Sequence, residues 1–357
     1  MSSTTLAAPA PWAVVMAGGQ GTRFWPASTP ELPKQLLPLA PGERSLLRAT
    51  VDRLEGLVPP ERTLVVTTAG IAAAVRAELP ELPEDNVLVE PVGRNTAPCI
   101  GWATKVVATR EPRATVAVLP ADHHVGDPET FRQVLSRALA HARSEGELVT
   151  VGIRPHRPET GYGYIEVGEP LSEGVHRAAR FVEKPDRATA ERYLQSGRFL
   201  WNSGMFFFRA DVALAEIERQ LPALHRGLER LASGEPLEQV YVELPSVSFD
   251  HGVMEGAERV AVVPGDFGWS DVGSWASAWE LANRDEHGNA APRDAVLLDS
   301  EGIYVHAPPG KQVAVVGLRD VVVVDTGEAL LVVPREQAQR VRDVVAALQA
   351  SSEEASR

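Results

Sequence analysis

The fold of this chain is decided by one stretch, Trp12-Ala13-Val14-Val15-Met16-Ala17-Gly18-Gly19-Gln20-Gly21-Thr22-Arg23-Phe24-Trp25-Pro26. Its first six residues are apolar and partly β-branched, which predicts a short buried strand over Trp12–Ala17. The glycines that follow let backbone N–H groups approach a ligand closely, because no side chain intervenes. A glycine-rich turn directly after a buried strand is typical of a site that binds a polyphosphate.

Two cations accompany this glycine loop. Arg23 can place forked hydrogen bonds on phosphate oxygens, and Lys34, in Pro33-Lys34-Gln35, adds a mobile positive charge. The loop is not a dinucleotide fingerprint, since Phe24-Trp25-Pro26 stands where the helix should open, and the Gly-Lys-Ser/Thr of a P-loop is absent. A plain turn is the alternative interpretation, but the combination with the downstream Pro-Lys favours phosphate binding.

Further apolar runs predict four more buried strands in the first half of the chain, with helical patterns between them. Alternation of strands and helices predicts parallel βαβ units covered on both faces. We therefore expect an α/β fold, a Rossmann-like domain with a mixed, mostly parallel sheet, whose ligands lie outside the carboxyl ends of the strands. The predicted strands are Thr63–Thr67, Val87–Glu90, Thr115–Leu119 and Leu148–Ile153, and the predicted helices include Ala97–Ala108 and Pro128–Ser144.

The pattern changes from about Asn289 onwards. Five short strand-like runs separated by turn residues predict a small β unit, and Glu336–Leu348 predicts a closing amphipathic helix. We therefore expect a large domain over residues 1–288 and a small C-terminal β domain with its helix over residues 289–357. The five runs are Ala295–Leu298, Ile303–His306, Val313–Val316, Val321–Val324 and Leu330–Val333.

Composition narrows the class of function. The formal net charge of −13 argues against general nucleic-acid binding, which depends on Lys and Arg to neutralise phosphates. No apolar run approaches the roughly 18–20 residues of a membrane span, so we expect no membrane partner. Cys99 is the only cysteine, and the N-terminus lacks a basic region before its apolar stretch. We expect a cytoplasmic location.

A set of motifs beyond the loop resembles the sugar nucleotidyltransferase family over about residues 12–350, most closely its mannose-1-phosphate guanylyltransferase branch. The small β unit is similar to the short left-handed β-helix-like appendage of that family. The motifs are Glu90-Pro91, Arg94-Asn95-Thr96-Ala97-Pro98, Leu119-Pro120-Ala121-Asp122-His123, Gly161-Tyr162-Gly163-Tyr164-Ile165, Phe181-Val182-Glu183-Lys184-Pro185, Trp201-Asn202-Ser203-Gly204-Met205 and Trp269-Ser270-Asp271-Val272-Gly273-Ser274-Trp275.

The resemblance implies transfer of GMP from GTP to mannose 1-phosphate, with GDP-mannose and pyrophosphate as products and no covalent enzyme intermediate. It implies Mg²⁺ as cofactor, held by Asp122 and Asp271, and Mg²⁺ favours one or two carboxylates together with phosphate oxygens. Arg23 and Lys34 would stabilise the leaving pyrophosphate, and Lys184 would steady the attacking phosphate.

The resemblance also implies two sets of binding residues. The Asn95-Thr96 pair resembles a guanylyl-specific version of its motif, although both residues are equally suited to cap the helix that they open. The nucleotide-binding set is Ala17, Gly18, Gly19, Gly21, Thr22, Arg23, Lys34, Pro91, Asn95, Thr96 and Asp122. The sugar-phosphate-binding set is Tyr162, Gly163, Glu183, Lys184, Asn202 and Asp271.

Several alternatives stay open at this stage. UTP or dTTP could react with glucose 1-phosphate, and a non-catalytic regulatory subunit could bind a sugar nucleotide. A glycosyltransferase could hold a metal–diphosphate on Asp122, but that interpretation leaves the glycine loop unexplained. His123 and His124 could indicate zinc, although neighbours in an extended chain point in opposite directions.

Two expectations concern assembly. Some family members carry a fused isomerase domain after the transferase, and this chain ends too soon for one, so we expect a single activity. We also expect the small β unit to mediate a homodimer.

Overall fold

The computed structural model describes residues 9–19, 21–39 and 44–355, so Gln20 of the glycine loop lies outside the described residues. The chain divides into two compact units. Of the described residues, the first unit takes 9–18, 50–121 and 125–269, and the second takes the rest. None of the described helices has the length and apolar character that crossing a membrane requires.

The strands and helices are numbered here in chain order. The strands are β1 Trp12–Ala17, β2 Thr63–Thr68, β3 Val87–Glu90, β4 Thr115–Pro120, β5 His124–Val125, β6 Leu148–Ile153, β7 Tyr164–Ser172, β8 Val175–Val182, β9 Phe199–Arg209, β10 Val260–Gly265, β11 Trp269–Ser270, β12 Val296–Leu298, β13 Tyr304–His306, β14 Ala314–Val316, β15 Val321–Asp325 and β16 Leu330–Pro334. The α-helices are α1 Leu46–Asp52, α2 Ala72–Glu78, α3 Thr96–Arg110, α4 Pro128–Glu145, α5 Arg187–Ser196, α6 Ala210–Gln220, α7 Pro222–Ala232, α8 Leu237–Tyr241, α9 Trp275–Leu281 and α10 Val341–Ala355.

The first unit is built on a nine-stranded sheet, in the order β3-β2-β1-β4-β9-β6-β10-β8-β7. Strands β1 to β4 are parallel to one another, and β6 is parallel to β10. Strand β9 runs antiparallel between β4 and β6. The sheet is therefore mixed, with most strands in one direction, which confirms the predicted fold class. The order reverses at β1, between β2 and β4, and such a switch point is where open sheets bind ligands.

The predicted strands of the first half are confirmed. Strands β1, β3 and β6 have the predicted bounds, and β2 and β4 each extend one residue further. Strand β10, Val260–Gly265, escaped the sequence analysis although it begins with four consecutive apolar residues. A short apolar run of this kind carries no period that separates a buried strand from a turn of helix.

Local sequence fixes where the helices of this unit begin. Asp127 caps α4 by accepting from the backbone N–H groups of Glu129 and Thr130, with Pro128 in the first turn. Asn95 caps α3 by accepting from Thr96 N at 2.8 Å. The core formed by these helices and the sheet contains fully buried side chains such as Phe208, and each such burial stabilises by roughly 1.5–3 kcal/mol.

The second unit contains the C-terminal strands. Strand β12 pairs parallel with β14, β13 pairs parallel with β15, and β15 pairs antiparallel with β16. Ile303, Val305, Val315 and Val323 form the small core between these strands. The closing helix differs from the prediction at its start: Arg335–Arg340 is a 3₁₀ helix, and α10 begins only at Val341.

Candidate functional site

The second unit contains an ion pair between two residues that were both predicted to bind the nucleotide. Lys34 Nζ lies 2.8 Å from Asp122 Oδ2 and also donates to the backbone oxygen of Asp271. The Lys34 side chain is 9% exposed, whereas that of Asp122 is 36% exposed. One buried ammonium thus joins the segment after β4 to the loop that carries Asp271.

The charge of Lys34 acts on the carboxyl of Asp122. Burial alone would raise the pKa of Asp122, but Lys34 and His123 outweigh it and hold that pKa below its usual value. Asp122 is therefore ionised at neutral pH. An anionic carboxylate is the form that binds a hard divalent cation.

Gly21 explains why the loop requires a glycine next to this lysine. Its φ of 62° is left-handed, and a Cβ built on it would lie 2.4 Å from Lys34 Cβ and 2.9 Å from Lys34 N. The Gly21 carbonyl accepts from Phe24 N at 2.9 Å and from Ser28 Oγ at 2.8 Å. Only glycine permits this close packing, so Gly21 fixes the position of Lys34.

Asp271 precedes a strained residue. Val272 has a φ of 45°, a rare conformation for a β-branched residue, and its side chain is fully buried. The Asp271 carboxylate packs over Gly273, where a Cβ would lie 3.0 Å from Oδ2. Strain that the surrounding core holds in place is common at ligand sites.

The donor set of the second unit fits a Mg²⁺ ion that substrate helps to bind. Asp122 places its carboxylate, and Asp271 its backbone oxygen, against the same Lys34 ammonium. In the described residues no group of three or more His, Cys, Asp or Glu could hold a metal by itself. These contacts orient one carboxylate, that of Asp122, so a hard divalent cation here would take further oxygen ligands from substrate phosphates and water.

The first unit contains all of the predicted sugar-phosphate-binding residues except Asp271, which belongs to the second unit. A Cβ built on Gly163 would lie 2.8 Å from Glu183 Oε2 and 3.4 Å from Asn202 Cβ. Asn202 N donates to the Gly163 carbonyl at 2.8 Å. Tyr162 is anchored by edge contacts with Trp201 and Trp269, at centroid distances of 5.2 and 5.5 Å. The missing side chain of Gly163 therefore lets the Glu183 carboxylate and Asn202 pack closely against this backbone.

Lys184 is held in an unusual backbone conformation. Its φ is 42°, and its N–H donates to the Tyr162 carbonyl at 3.2 Å. Its ammonium lies 2.7 Å from Glu183 Oε1, and both side chains are more than half exposed. An exposed pair of this kind contributes little to stability, so the strain points to a ligand-binding role for this turn.

The Asn95–Thr96 pair has backbone partners. Asn95 is the N-cap of α3, and the Thr96 hydroxyl accepts from Phe249 N at 2.8 Å. Asn95 therefore performs the capping role that the sequence analysis kept as an alternative, whereas the Thr96 hydroxyl binds a residue outside α3. Their role in base recognition stays a prediction.

A carboxylate that the sequence analysis left without a role lies beside the glycine loop. Glu90, at the end of β3, is 5% exposed, and a Cβ on Gly18 would lie 3.2 Å from its Oε2. Tyr241 Oη donates to its Oε1 at 2.5 Å. Burial raises the pKa of Glu90 above its usual value, and the hydrogen bond from Tyr241 offsets only part of that rise. Nothing in the sequence predicted this contact, because Glu90 and Tyr241 are 151 positions apart.

The remaining predicted nucleotide-binding residues are exposed, with the exception of Ala17. Ala17 ends β1 and is buried, whereas Gly18 and Gly19 are exposed. Arg23 and Thr22 are exposed on the 3₁₀ turn Thr22–Phe24. The last of them, Pro91, is exposed directly after β3.

Comparison with known proteins identifies the family. Residues 12–288 match the nucleotidyl transferase family, and residues 293–348 match a MannoseP isomerase/GMP-like beta-helix domain. A putative mannose-1-phosphate guanylyltransferase of Vibrio cholerae is 39% identical over 95% of this chain and 74% of its own length. A mannose-1-phosphate guanylyltransferase of Klebsiella pneumoniae is 40% identical over 93% of this chain and 72% of its own length.

A solved structure agrees with these matches. A Thermus thermophilus protein described as a mannose-1-phosphate geranyltransferase is 42% identical, with a TM-score of 0.88 over 95% of this chain and 99% of that one. The second family match also confirms the predicted β-helix-like C-terminal unit. Proteins of this family generally use a divalent metal ion. The chain therefore belongs to the nucleotidyl transferase family.

Proposed function

We propose that the chain transfers GMP from GTP to mannose 1-phosphate and releases GDP-mannose and pyrophosphate. The observation that carries this proposal is the Lys34–Asp122 ion pair beside the glycine loop, in a chain 40% identical to a mannose-1-phosphate guanylyltransferase. The ion pair supplies a cation for phosphate and a carboxylate for metal. The relatives support the choice of nucleotide and sugar.

The reaction needs no protein nucleophile. A phosphate oxygen of mannose 1-phosphate attacks the α-phosphorus of GTP, and the bond from that phosphorus to the bridging oxygen of pyrophosphate breaks. Because the attacking oxygen is already anionic, the protein acts by positioning and charge stabilisation. Mg²⁺ bound by Asp122 and Asp271 would withdraw charge from the phosphoryl oxygens.

Each charged side chain then has a distinct task. Lys34 and Arg23 stabilise the pyrophosphate as it leaves, and Lys184 holds the attacking phosphate. Gly18, Gly19 and Gly21 present the backbone to the triphosphate. The left-handed φ of Lys184 and the close packing of Gly21 on Lys34 support this division of roles.

We assign guanine recognition to Glu90, with Pro91, Asn95 and Thr96 on the segment that follows. Guanine presents two adjacent donors, N1–H and the N2 amine, and a carboxylate can accept from both. Other common bases lack this pair of neighbouring donors. The position of Glu90 against Gly18 supports its contact with the nucleotide.

On the sugar side we assign Tyr162, Gly163, Glu183 and Asn202 to the hexose. Glu183 accepts from hydroxyls, and Gly163 leaves the space that its missing side chain would fill.

The experiment that tests the function is pyrophosphate release with Mg²⁺ from four nucleoside triphosphates, each with mannose 1-phosphate and with glucose 1-phosphate. We expect the fastest release with GTP and mannose 1-phosphate and its loss when EDTA removes the metal. Faster release with UTP or dTTP and glucose 1-phosphate would replace the proposed substrates. Absence of release with every pair would favour a regulatory subunit.

We further propose that a second copy of the chain covers an apolar face of the C-terminal unit. Outward side chains of a half-buried strand are usually polar, yet Leu298, Val316, Leu330 and Val332 are between 54% and 61% exposed. A homodimer would bury them.

We propose a domain boundary between residues 288 and 289, which the end of the first family match supports. We also propose a cytoplasmic location.

A further inference from the structure

Asp250 is a carboxylate that lies outside all the sequence motifs described above, and it contacts a residue of the predicted sugar site. Asn202 Nδ2 donates to Asp250 Oδ1 at 2.5 Å. Asp250 is the first residue of a π-helical segment, Asp250–Met254. Single π-helical turns are rare and frequently occur at functional sites.

The partners of Asn202 determine which way its carboxamide faces. Its Oδ1 accepts from Gly204 N at 3.2 Å, and that backbone N–H can only donate. Its Nδ2 faces the carboxylate of Asp250, which can only accept when ionised. The hydroxyl of Thr150 lies 3.5 Å from the same Oδ1 but donates at 3.0 Å to the Met205 carbonyl. Gly204 and Asp250 therefore fix one orientation of the amide.

Within the described residues, these contacts occupy only half of the hydrogen-bonding capacity of the Asn202 amide. A carboxamide has two N–H donors and two acceptor lone pairs. Asp250 takes one donor and Gly204 takes one lone pair. One donor and one acceptor remain beside Gly163 and Glu183, which is the pair that two neighbouring hydroxyls require.

We propose that Asp250 sets the hexose preference of the protein by fixing the Asn202 carboxamide against the ring hydroxyls. The inference rests on the proposed function, in which the hexose enters as its 1-phosphate. Asp250 acts through Asn202 and is a positioning residue. Two hexoses that differ at one carbon present one hydroxyl in different directions, and only an amide of fixed orientation distinguishes them strongly.

The surroundings of Asp250 hold its pKa above the usual value. Burial raises its pKa, and the charges of Glu183 and Glu255 raise that pKa further, whereas the hydrogen bond from Asn202 lowers it. Donation by Asn202 opposes these effects only in part, and the orientation of the amide rests on its hydrogen bonds with Asp250 and Gly204.

Asp250→Ala tests the proposal, with Glu258→Gln, at an exposed carboxylate eight positions further along the chain, as the control. The readouts are KM for mannose 1-phosphate, KM for GTP, and the ratio of kcat/KM for mannose 1-phosphate over glucose 1-phosphate. We expect Asp250→Ala to raise the first KM and lower the ratio about tenfold, the scale of a lost hydrogen bond to a charged group, with KM for GTP within about twofold. Asp250→Asn keeps an oxygen acceptor and should restore most of the ratio.

An unchanged ratio in Asp250→Ala, or an equal rise of both KM values, would overturn the proposal. If Asp250→Ala loses its cooperative thermal transition, Asp250→Glu replaces it, because the extra methylene moves the acceptor without removing the charge. We expect that variant to lower the hexose ratio at least about fivefold, and an unchanged ratio would again overturn the proposal.

The same preference can be measured without turnover. Calorimetric binding of mannose 1-phosphate and of glucose 1-phosphate to the wild type and to Asp250→Ala reports the role of Asp250 even if GTP proves to be the wrong nucleotide. Failure of pyrophosphate release in the wild type would refute the proposed function, whereas equal discrimination by both proteins would refute only the inference about Asp250.

Discussion

The proposed phosphate region of the second unit and the proposed hexose region of the first unit are each stabilised by a different kind of interaction. In the phosphate region a buried ammonium, Lys34, joins Asp122 to the loop of Asp271. In the hexose region a directional network fixes the amide of Asn202 between Asp250 and a backbone N–H. The strength of an ion pair depends little on the angle between its groups but is lost when one charge is removed. The strength of a hydrogen bond depends on its angle as well as on the presence of both partners. Substitutions in the two regions should therefore affect different kinetic constants.

The largest effect is expected from Asp122→Asn, which breaks the phosphate region. It removes the carboxylate that we propose as a metal ligand, and it leaves the Lys34 ammonium buried without its counter-charge. We expect kcat to fall roughly 10²–10³-fold, the scale of a lost charge-stabilising group. Steady-state pyrophosphate release measures this change.

The control for Asp122→Asn is Asp294→Asn, which removes the same charge from an exposed position of the second unit. Its kcat should stay within about twofold of the wild type, since exposed substitutions rarely perturb a distant function. A fall of less than about tenfold in Asp122→Asn would contradict the metal role of that carboxylate.

Glu90→Gln should have the next largest effect and tests whether the first unit also selects the base. The new amide turns a donor towards guanine N1–H or N2, so we expect kcat/KM for GTP to fall about 10–100-fold. Inosine triphosphate lacks the N2 amine, so its kcat/KM should fall less. The ratio of GTP to inosine triphosphate is the decisive measurement.

Tyr241→Phe provides the matched control for Glu90→Gln, because it removes the donor to Oε1 but keeps the carboxylate. We expect it to preserve the preference for GTP over inosine triphosphate. If both variants lose that preference equally, the pair serves packing and Glu90 does not read the base.

Two glycine variants compare the regions directly. In Gly21→Ala the new Cβ would meet Lys34 Cβ at 2.4 Å in a left-handed backbone, so we expect about 2–4 kcal/mol of destabilisation. In Gly163→Ala the Cβ meets the mobile end of Glu183 at 2.8 Å. That variant should keep its stability within about 1 kcal/mol and raise KM for mannose 1-phosphate. Denaturant unfolding and steady-state kinetics separate the two results.

The sequence predicted most of the sheet because burial and β-branching are local properties. Strands such as β1 and β3 could be placed to the residue, and the family resemblance implied that Lys34, Asp122 and Asp271 belong to one site. What it could not supply was pairing at long range. The insertion of β9 between β4 and β6 depends on contacts between distant segments, which no period reveals.

The missed site residues have the same physical cause. Asp250 lies in a π-helical turn whose surrounding sequence matches no motif, and its partner is 48 positions away. The strained conformations of Lys184 and Val272 were equally invisible, because neither residue type predicts a positive φ. A side chain that acts through another side chain can be identified only when the positions of both are known from the structure.

The smallest effect on activity is expected from charges placed on the apolar face of the C-terminal unit. In Leu330→Lys/Val332→Lys, two side chains that are 61% and 57% exposed become cationic, which opposes their burial against a second copy. Sedimentation should then show a monomer at micromolar concentration, with the wild type a dimer. Val242→Lys, at an exposed valine of the first unit, is the control and should leave the dimer intact. Because the proposed phosphate and hexose residues all belong to one chain, kcat/KM should change by less than about twofold, as expected for surface substitutions away from a site. A monomeric wild type would remove the dimer proposal, and a large loss of activity on dissociation would mean that one of the two regions needs the partner copy.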